Sequence, residues 1–370
     1  MTPRIAIIGA GPAGLTFARI LHQNGVPTTI FDKETSPDMR RALGGILDLH
    51  QDSGQSALKK AGLYEQFIKV ANYDAEDFVL ADKWGKCYID IKDVERGRPE
   101  IDRSVLRQLL LDSIPPTYIR WDHHVQRVEE GTIYFDNGSE TGFDLIVGAD
   151  GAWSKVRQVL SCVPPFYSGI TGIELRLRNI DTNHPELSEM IGRGSYFAFG
   201  GKEGRVLMCQ RQGDRSVRVY AFQRKPEQWI TDSSIDFNNP VEVRNVLLKD
   251  YQTWSPKQKR LLEVCDDDLI PRVLYMLPVG IRWPSKQCFT LIGDAAHLMT
   301  PFAGEGVNAA LHDALDLAEA IIQNRDDLAV AVACYERGKF PRSEKTQKKT
   351  WDFLLSTFGE EGIAKYQADF

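Results

Sequence analysis

The sequence predicts an α/β protein with a doubly wound parallel-sheet domain, a second domain built on an antiparallel sheet, and a C-terminal bridging helix. Three observations predict this. A buried-strand pattern runs straight into a glycine-rich turn and a helix near the start of the chain. The same strand–turn–helix order recurs at residues 144–157 and 288–323. Between these two recurrences, residues 170–230 alternate apolar and polar side chains in the manner of half-buried strands.

The first strand–turn–helix occupies residues 4–32, RIAIIGAGPAGLTFARILHQNGVPTTIFD. An apolar strand over residues 4–8 meets G-x-G-x-x-G at residues 9–14, a helix ends at residues 24–25, and a second strand over residues 28–31 ends at Asp32. Here Gly9 permits the tight turn, Gly11 lets the backbone approach a pyrophosphate, and Gly14 lets the helix lie close to the strand. Asp32 is placed to accept hydrogen bonds from a ribose. The segment therefore predicts a Rossmann-like dinucleotide-binding domain, but it does not separate FAD from NAD(P).

Composition excludes several other classes of protein. The 370 residues carry a net charge of −6, so nucleic acid is not the expected partner. Six cysteines lack C-x-x-C spacing and the histidines lack ligand spacing, which predicts free thiols and no metal site. Because a strand pattern begins at Arg4, we expect no signal peptide, and no apolar run is long enough for a membrane span. A cytoplasmic monomer without a membrane or nucleic-acid partner is the expectation.

Two later segments repeat the strand–turn–helix chemistry. In DLIVGADGAWSKVR (144–157), a strand over residues 145–147 meets the turn at Asp150, and Ser154 is placed to cap a helix carrying Lys155 and Arg157. In IGDAAHLMTPFAGEGVN (292–308), Asp294 follows a strand over residues 288–292, and a Pro/Gly turn over residues 301–306 opens a helix. Helix N-termini present unpaired N–H groups to a ligand. If the cofactor is FAD, the first motif would hold its ADP half and the late one its ribityl chain and ring.

These motifs carry a resemblance to a known family. GAGPAG, DGAWSKVR and GDAAHLMTPFAGEGVN resemble, in this order, the fingerprints of the class A (single-component) FAD-dependent monooxygenases of the aromatic-hydroxylase type. Further stretches look like those of the TetX tetracycline destructases: GGILDLHQDSGQSALKKAGL (44–63), PEIDRSVLRQLLL (99–111) and KPEQW (225–229). This resemblance extends to about residue 320.

The resemblance implies a set of cofactor contacts. Arg41 matches a position linked to NADPH, and Asp150, Ser154 and Arg157 match a motif associated with both FAD and NADPH. Read alone, Arg107 could equally lie on a solvated helix face, and we interpret His297 as structural. The positions that the resemblance assigns to cofactor binding are Gly9, Gly11, Pro12, Ala13, Gly14, Asp32, Lys33, Arg41, Gly45, Leu47, Asp48, Arg107, Asp150, Gly293, Asp294, Pro301, Gly304, Gly306, Val307 and Asn308.

The resemblance also implies the reaction. NADPH, bound transiently, would reduce tightly bound FAD, and O₂ would form a flavin C4a-hydroperoxide that hydroxylates a polycyclic or phenolic small molecule. No catalytic side chain is expected, since the cofactor carries the chemistry.

Tetracycline-type antibiotics, inactivated as a means of resistance, are the substrates that the resemblance favours. Glu174, Phe197 and Arg218 stand where the family has an amide, a cation and a histidine against the drug. With Pro301, Phe302 and Gly304 they form the expected substrate site. Because these three residue types differ from those of the family, another aromatic or polyketide secondary metabolite remains an alternative substrate.

We expect a discontinuous FAD-binding domain over residues 1–72, 98–169 and 276–325, a substrate-binding sheet domain over residues 73–97 and 170–275, and a C-terminal helix over residues 326–370 with a kink at Pro341. Two other functions remain. A flavin-dependent halogenase or dehydrogenase would keep the flavin, although no W-x-W-x-I-P stretch supports a halogenase. A non-catalytic flavin-binding partner or sensor is the alternative outside enzymes.

Overall fold

A computed structural model describes residues 3–40, 44–73, 77–92 and 97–369. The fold is mixed α/β, as the sequence predicts, and the chain divides into two compact units. The first unit comprises the described residues of Met1–Ala71, Arg103–Phe166 and Tyr275–Trp351. The second unit comprises those of Asn72–Asp102, Tyr167–Leu274 and Asp352–Phe370.

The β-strands of the described chain lie between Ile5 and Leu291. In chain order they are β1 (Ile5–Ile8), β2 (Thr28–Phe31), β3 (Ile46–Asp48), β4 (Phe78–Asp82), β5 (Cys87–Ile91), β6 (Glu100–Asp102), β7 (Ile119–Arg120), β8 (Val125–Glu129), β9 (Thr132–Phe135), β10 (Gly138–Thr141), β11 (Leu145–Gly148), β12 (Phe166–Leu177), β13 (Ser195–Phe199), β14 (Arg205–Arg211), β15 (Val217–Arg224), β16 (Ile270–Met276) and β17 (Phe289–Leu291).

Helices lie between these strands, and the last four helices of the described chain follow β17. In chain order they are α1 (Pro12–Gln23), α2 (Gly54–Lys60), α3 (Tyr64–Val70), α4 (Arg103–Asp112), α5 (Arg157–Leu160), α6 (Ile180–Asn183), α7 (Pro185–Ile191), α8 (Trp229–Asp232), α9 (Pro240–Asp250), α10 (Pro256–Glu263), α11 (Asp294–His297), α12 (Gly306–Gln323), α13 (Leu328–Thr357) and α14 (Gly362–Asp369). Among the residues that the structure describes, no helix is long and apolar enough to cross a membrane.

The first unit is organised by a five-stranded parallel sheet in the order β17-β11-β1-β2-β7. Every residue of β1 and β11 is buried, which explains why both segments are continuous apolar runs. From β1 the chain proceeds to β2 on one side, whereas β11 pairs on the other side. The strand order therefore reverses at β1, and the prediction of a doubly wound sheet is confirmed.

The second unit contains a seven-stranded sheet in the order β16-β12-β15-β14-β13-β4-β5. One face carries the core, with Leu175, Val219 and Leu207 among its buried side chains, and α7, α9 and α10 supply further core residues. The pairs β12–β15, β15–β14, β14–β13 and β4–β5 are antiparallel as predicted, whereas β4 pairs with β13 in parallel. Alternation of side chains is the same for both strand directions, so the sequence pattern alone could not reveal this pair.

Two local predictions differ from the structure. The helix after the second motif begins at Arg157 and has four residues, so Lys155 lies before it, although the Ser154 hydroxyl does accept from the Arg157 N–H (2.9 Å). Near the C-terminus, Pro341 lies inside α13, and the predicted C-terminal helix is divided in two, because α13 ends at Thr357 and a separate helix, α14, follows it. The residues of α13 are divided between the two units after Trp351.

Candidate active site

The three sequence motifs gather at one edge of the parallel sheet in the first unit. β1 leads into Gly9, β11 into Asp150, β17 into Gly293, and β2 into Asp32. Neighbouring parallel strands end at the same edge, so these four turns lie side by side where the strand order reverses. In open α/β sheets this is the place where ligands bind.

The first motif is shaped by its glycines. Gly9 has φ +110°, and a Cβ at this position would overlap the Ala149 carbonyl oxygen of the second motif. A Cβ on Gly14 would overlap the Gly9 carbonyl oxygen, so α1 lies close against the end of β1. Gly11 precedes α1, and a Cβ there would meet no atom within 4 Å. The space over Gly11 at a helix N-terminus fits a pyrophosphate.

Asp32 and Arg107 stabilise the backbone of this motif. Asp32 is 2% exposed, and its carboxylate accepts from the Ala10 N–H (2.6 Å) and from the Glu34 N–H (2.9 Å). Arg107 is 6% exposed, and it donates to the Ala10 carbonyl (3.3 Å) and to the Pro37 carbonyl (2.7 Å). Arg107 is therefore buried beside the first motif and does not lie on a solvated helix face.

The second motif holds a buried carboxylate and a buried guanidinium. The Asp150 Oδ2 atom accepts from the Lys155 N–H (2.7 Å), and burial raises the pKa of this carboxyl. Its Oδ1 atom is buried without a hydrogen-bond partner among the described residues. Arg157 donates to the Ala152 carbonyl (2.6 Å) and to the Ala295 carbonyl (3.0 Å), and burial lowers its pKa. Arg157 thereby ties the second motif to the third.

The third motif contacts the first. Gly293 has φ +63°, and a Cβ there would lie 3.3 Å from the Ala13 Cβ and 3.2 Å from the Ala310 Cβ. Asp294 follows as the exposed first residue of α11. The first and third turns therefore lie against each other in the first unit.

Hydrogen bonds join the end of β3 to the turn that begins α12. Asn308 is buried; it accepts from the His50 N–H (2.9 Å) and donates to the Asp48 carbonyl (2.9 Å). A Cβ on Gly304, which has φ +66°, would lie 3.4 Å from Asp48 Oδ1. Gly306 begins α12 with no atom within 4 Å of its Cβ position. The turn thus resembles the first motif in leaving open space at a helix N-terminus.

The remaining predicted residues lie around these turns. Phe302 is buried, whereas Pro301 and Gly304 are exposed, so these two and not the phenyl ring form the surface of the turn. Arg41 lies outside the described residues. Lys33 is exposed, and the half-buried positions are Pro12, Gly45, Leu47 and Val307.

Glu174 and Arg218 lie together in the second unit, on the sheet face opposite the core. Both are buried and form an ion pair, and Glu174 Oε2 also contacts Arg272 (2.8 Å to Nε). Sequence reasoning missed Arg272; its signal was the cation at the third position of β16, IPRVLYM. Tyr220 lies directly opposite Glu174 on the neighbouring strand.

Aromatic side chains surround this ion-pair cluster in the sheet register. The rings of Tyr220 and Phe222 stack at 5.5 Å, and the half-buried Phe197 meets Phe78 edge-on at 5.2 Å. Met208 pairs with both Tyr220 and Phe197 across the sheet. This face therefore combines flat apolar surfaces with buried charge.

The residues of the first unit fit a long dinucleotide. The N-termini of α1 and α12 each have free volume over a glycine, and Asp294, which lies between these two helices in sequence, is exposed. The buried Oδ1 atom of Asp150 has no hydrogen-bond donor among the described residues. A glycine-rich turn near the start of the chain, together with a distant second glycine turn at the same sheet edge, is the arrangement of a dinucleotide-binding protein.

Comparison with known proteins identifies the family. The chain belongs to the family whose model is described as FAD binding domain, which matches residues 2–253 and 282–330. It is a class A FAD-dependent monooxygenase. It is 35% identical to the monooxygenase penA of Penicillium thymicola, over 97% of this chain and 96% of that protein.

Solved structures share the fold. The HpxO structure from Klebsiella pneumoniae, complexed with FAD and uric acid, matches with a TM-score of 0.82 at 20% identity over 99% of this chain and 92% of that one. The tetracycline destructase Tet(51) matches with a TM-score of 0.71 at 19% identity, over 100% of this chain and 96% of that one.

Proposed function

We propose that this monooxygenase uses NADPH and O₂ to hydroxylate a polycyclic or phenolic small molecule. Tetracycline-type antibiotics are the first candidates, and another aromatic or polyketide secondary metabolite is the alternative. The proposal is supported above all by the meeting of the three motifs at one sheet edge. A monomer acting in the cytoplasm is part of the same proposal.

The bound FAD supplies the chemistry of oxygen activation and transfer. The chain's own residues bind and orient it. The backbone over Gly11 and the N-terminus of α1 would take the pyrophosphate, and the Asp32 carboxylate would accept from the adenosine ribose. Asp294 would accept from the ribityl hydroxyls. The exposed backbone of Pro301 and Gly304 would lie along the flat ring system.

The second unit's aromatic and charged face is the proposed substrate surface. Met208, Tyr220 and Phe197 offer apolar contacts to a flat ring. Both oxygens of Glu174 already bind arginines, so the polar group of a substrate would meet Arg272, whose side chain is 37% exposed, rather than the carboxylate. This arrangement suits a ring compound with hydrogen-bond-accepting oxygens, which tetracyclines and many other phenolic compounds share.

The experiment is a coupled assay on purified, FAD-loaded protein. NADPH oxidation, O₂ consumption and product mass would be followed with tetracyclines and with a panel of phenolic and polyketide compounds, using ¹⁸O₂ to trace the inserted atom. We expect compound-dependent NADPH oxidation and a product that gains one ¹⁸O atom. Flavin that NADPH cannot reduce, with or without any compound, would favour the sensor alternative. Reduction without oxygen insertion would favour a dehydrogenase.

The same assay separates the two substrate candidates. Turnover of tetracyclines with tight coupling of NADPH to product would support the antibiotic substrate. Uncoupled NADPH oxidation with tetracyclines, together with coupled turnover of another ring compound, would support the alternative. Parallel assays with NADH would establish the nicotinamide preference.

A further inference from the structure

A buried carboxylate outside the three motifs joins three segments of the first unit. Asp313 lies within α12 and is fully buried. Its Oδ2 atom accepts from the Gly293 N–H (3.0 Å) and lies 2.7 Å from His297 Nε2, while its Oδ1 atom accepts from Arg342 Nη2 (2.8 Å). One carboxylate thus holds the turn after β17, the end of α11, and α13.

The turn that Asp313 holds has little freedom of its own. Gly293 adopts φ +63° and ψ −143°, a conformation that L side chains rarely adopt. Its α-carbon is enclosed by Ala13 and Ala310. The next residue is the exposed Asp294, so the direction in which Asp294 points depends on how the Gly293 N–H is held.

The groups around Asp313 favour the charged form of its carboxyl. Burial alone would raise the pKa of this carboxyl, but His297, Lys339 and Arg342 outweigh burial and hold it below its usual range. The hydrogen-bonding neighbours are the Gly293 N–H, His297 Nε2 and Arg342 Nη2, and the carboxylate accepts from each. An asparagine would place its own NH₂ group against one of these donors, which leaves a buried donor unsatisfied.

We propose that Asp313 is a positioning residue, which sets the direction of Asp294 toward bound FAD through the Gly293 turn. This inference rests on the proposed contact between Asp294 and the ribityl chain. His297 and Arg342 keep the Asp313 carboxylate in place from either side. Asp313 therefore influences FAD without touching it, and α13 takes part through Arg342.

The test is a double-mutant cycle on FAD affinity. The apoproteins of D313N, D294N and D313N/D294N would be titrated with FAD by flavin fluorescence, at a temperature where circular dichroism shows each apoprotein folded. D294N should weaken binding by up to about tenfold, because a neutral amide oxygen replaces a charged acceptor. D313N should weaken it to a similar extent. If Asp313 acts through Asp294, the double variant should bind FAD no worse than D294N alone.

A matched control comes from the same helix. Asp316 pairs with the Nη1 atom of Arg342, whereas Asp313 accepts from its Nη2 atom, and the other ion-pair partner of Asp316 is His312 among the described residues. D316N should therefore leave FAD affinity within about twofold of the parent protein, as expected for a substitution away from the site. The midpoint potential of bound flavin gives a second reading, which we expect D313N and D294N to shift in the same direction and D316N to leave unchanged.

The outcomes separate the two proposals. If D294N binds FAD normally, the proposed role of Asp294 is wrong, and with it the route through which Asp313 acts. If D294N weakens binding but the losses from D313N and D294N simply add, or D313N has no effect, the positioning role of Asp313 is wrong. Should D313N not fold, Arg342→Met takes its place in the cycle, with the same criterion of non-additivity.

Discussion

Replacing the buried Lys339 with methionine should stabilise the protein at neutral pH. Lys339 is fully buried in α13, and its ammonium lacks a hydrogen-bond partner among the described residues. Its Nζ atom lies 4.3 Å from the centre of the Trp283 ring. Burial lowers the pKa of Lys339 to about 8, despite the opposing attraction of Asp313 and Glu336.

The magnitude follows from that pKa. A fall from 10.5 to about 8 means that the charged side chain costs the folded state roughly 3 kcal/mol relative to the neutral one. Lys339→Met keeps the length of the side chain and removes the charge, but it also removes the cation–π contact, worth about 1–2 kcal/mol. We therefore expect the free energy of unfolding to rise by about 1–2 kcal/mol.

The pH dependence tests the cause. The folded-state pKa of Lys339 lies below its unfolded-state value, so the charge penalty is fully present below about pH 8 and disappears as the pH rises toward 10.5. The advantage of K339M over the parent protein should shrink across that window. Urea unfolding followed by circular dichroism, at several pH values between about 7 and 10, measures it.

An exposed lysine of the same helix provides the control. Lys345 is exposed, so Lys345→Met should change the unfolding free energy by less than about 0.5 kcal/mol at every pH. A K339M protein that is less stable than the parent at neutral pH would refute the reasoning. So would an advantage that does not change with pH.

Three further predictions concern the two units. Gly9→Ala should destabilise the apoprotein, because the added Cβ would overlap the Ala149 carbonyl oxygen and φ at this residue is +110°. Gly11→Ala should leave the melting temperature of the apoprotein unchanged but weaken FAD binding, because a Cβ there meets no protein atom. Calorimetry and FAD titration distinguish the two effects. Glu174→Ala should lower the unfolding free energy by about 3–5 kcal/mol, because it leaves the Arg218 guanidinium buried without its carboxylate partner. Urea unfolding measures this loss, and Glu174→Gln should lower the unfolding free energy by less. Asn308→Ala should lower the unfolding free energy by about 1–3 kcal/mol in the same assay and weaken FAD binding, since the His50 N–H and the Asp48 carbonyl lose their partner. An unchanged FAD affinity would argue against a role for that turn in FAD binding.

The strand–turn–helix units were accessible from sequence because their chemistry is local. The apolar run, the glycines and the acid of residues 4–32 have the spacing that a strand, a tight turn and a helix require, and β2 occupies the predicted residues 28–31. The helix from Gly306 to Gln323 also begins and ends as its pattern indicates. In these segments, local propensity and tertiary packing agree.

The remaining features depend on partners distant in sequence. Asp313 reads as an ordinary polar position on a helix, and only the fold brings Gly293 and Arg342 to it. Likewise, Arg107 could be assigned to the interior only once its carbonyl partners at Ala10 and Pro37 were in place. Side chains whose role comes from three segments at once carry no periodic signature.

The strand order in the first unit has a consequence for how the protein is made. The central strand β1 leaves the ribosome first, but its neighbour β11 follows some 140 residues later, and β17 follows after a similar interval. Translation at about 5–20 residues per second would leave the apolar β1 segment of the nascent chain without its neighbour β11 for several seconds. A polypeptide interrupted before α12 would retain the glycine-rich turn yet lack the segment that we propose to complete the binding surface for FAD.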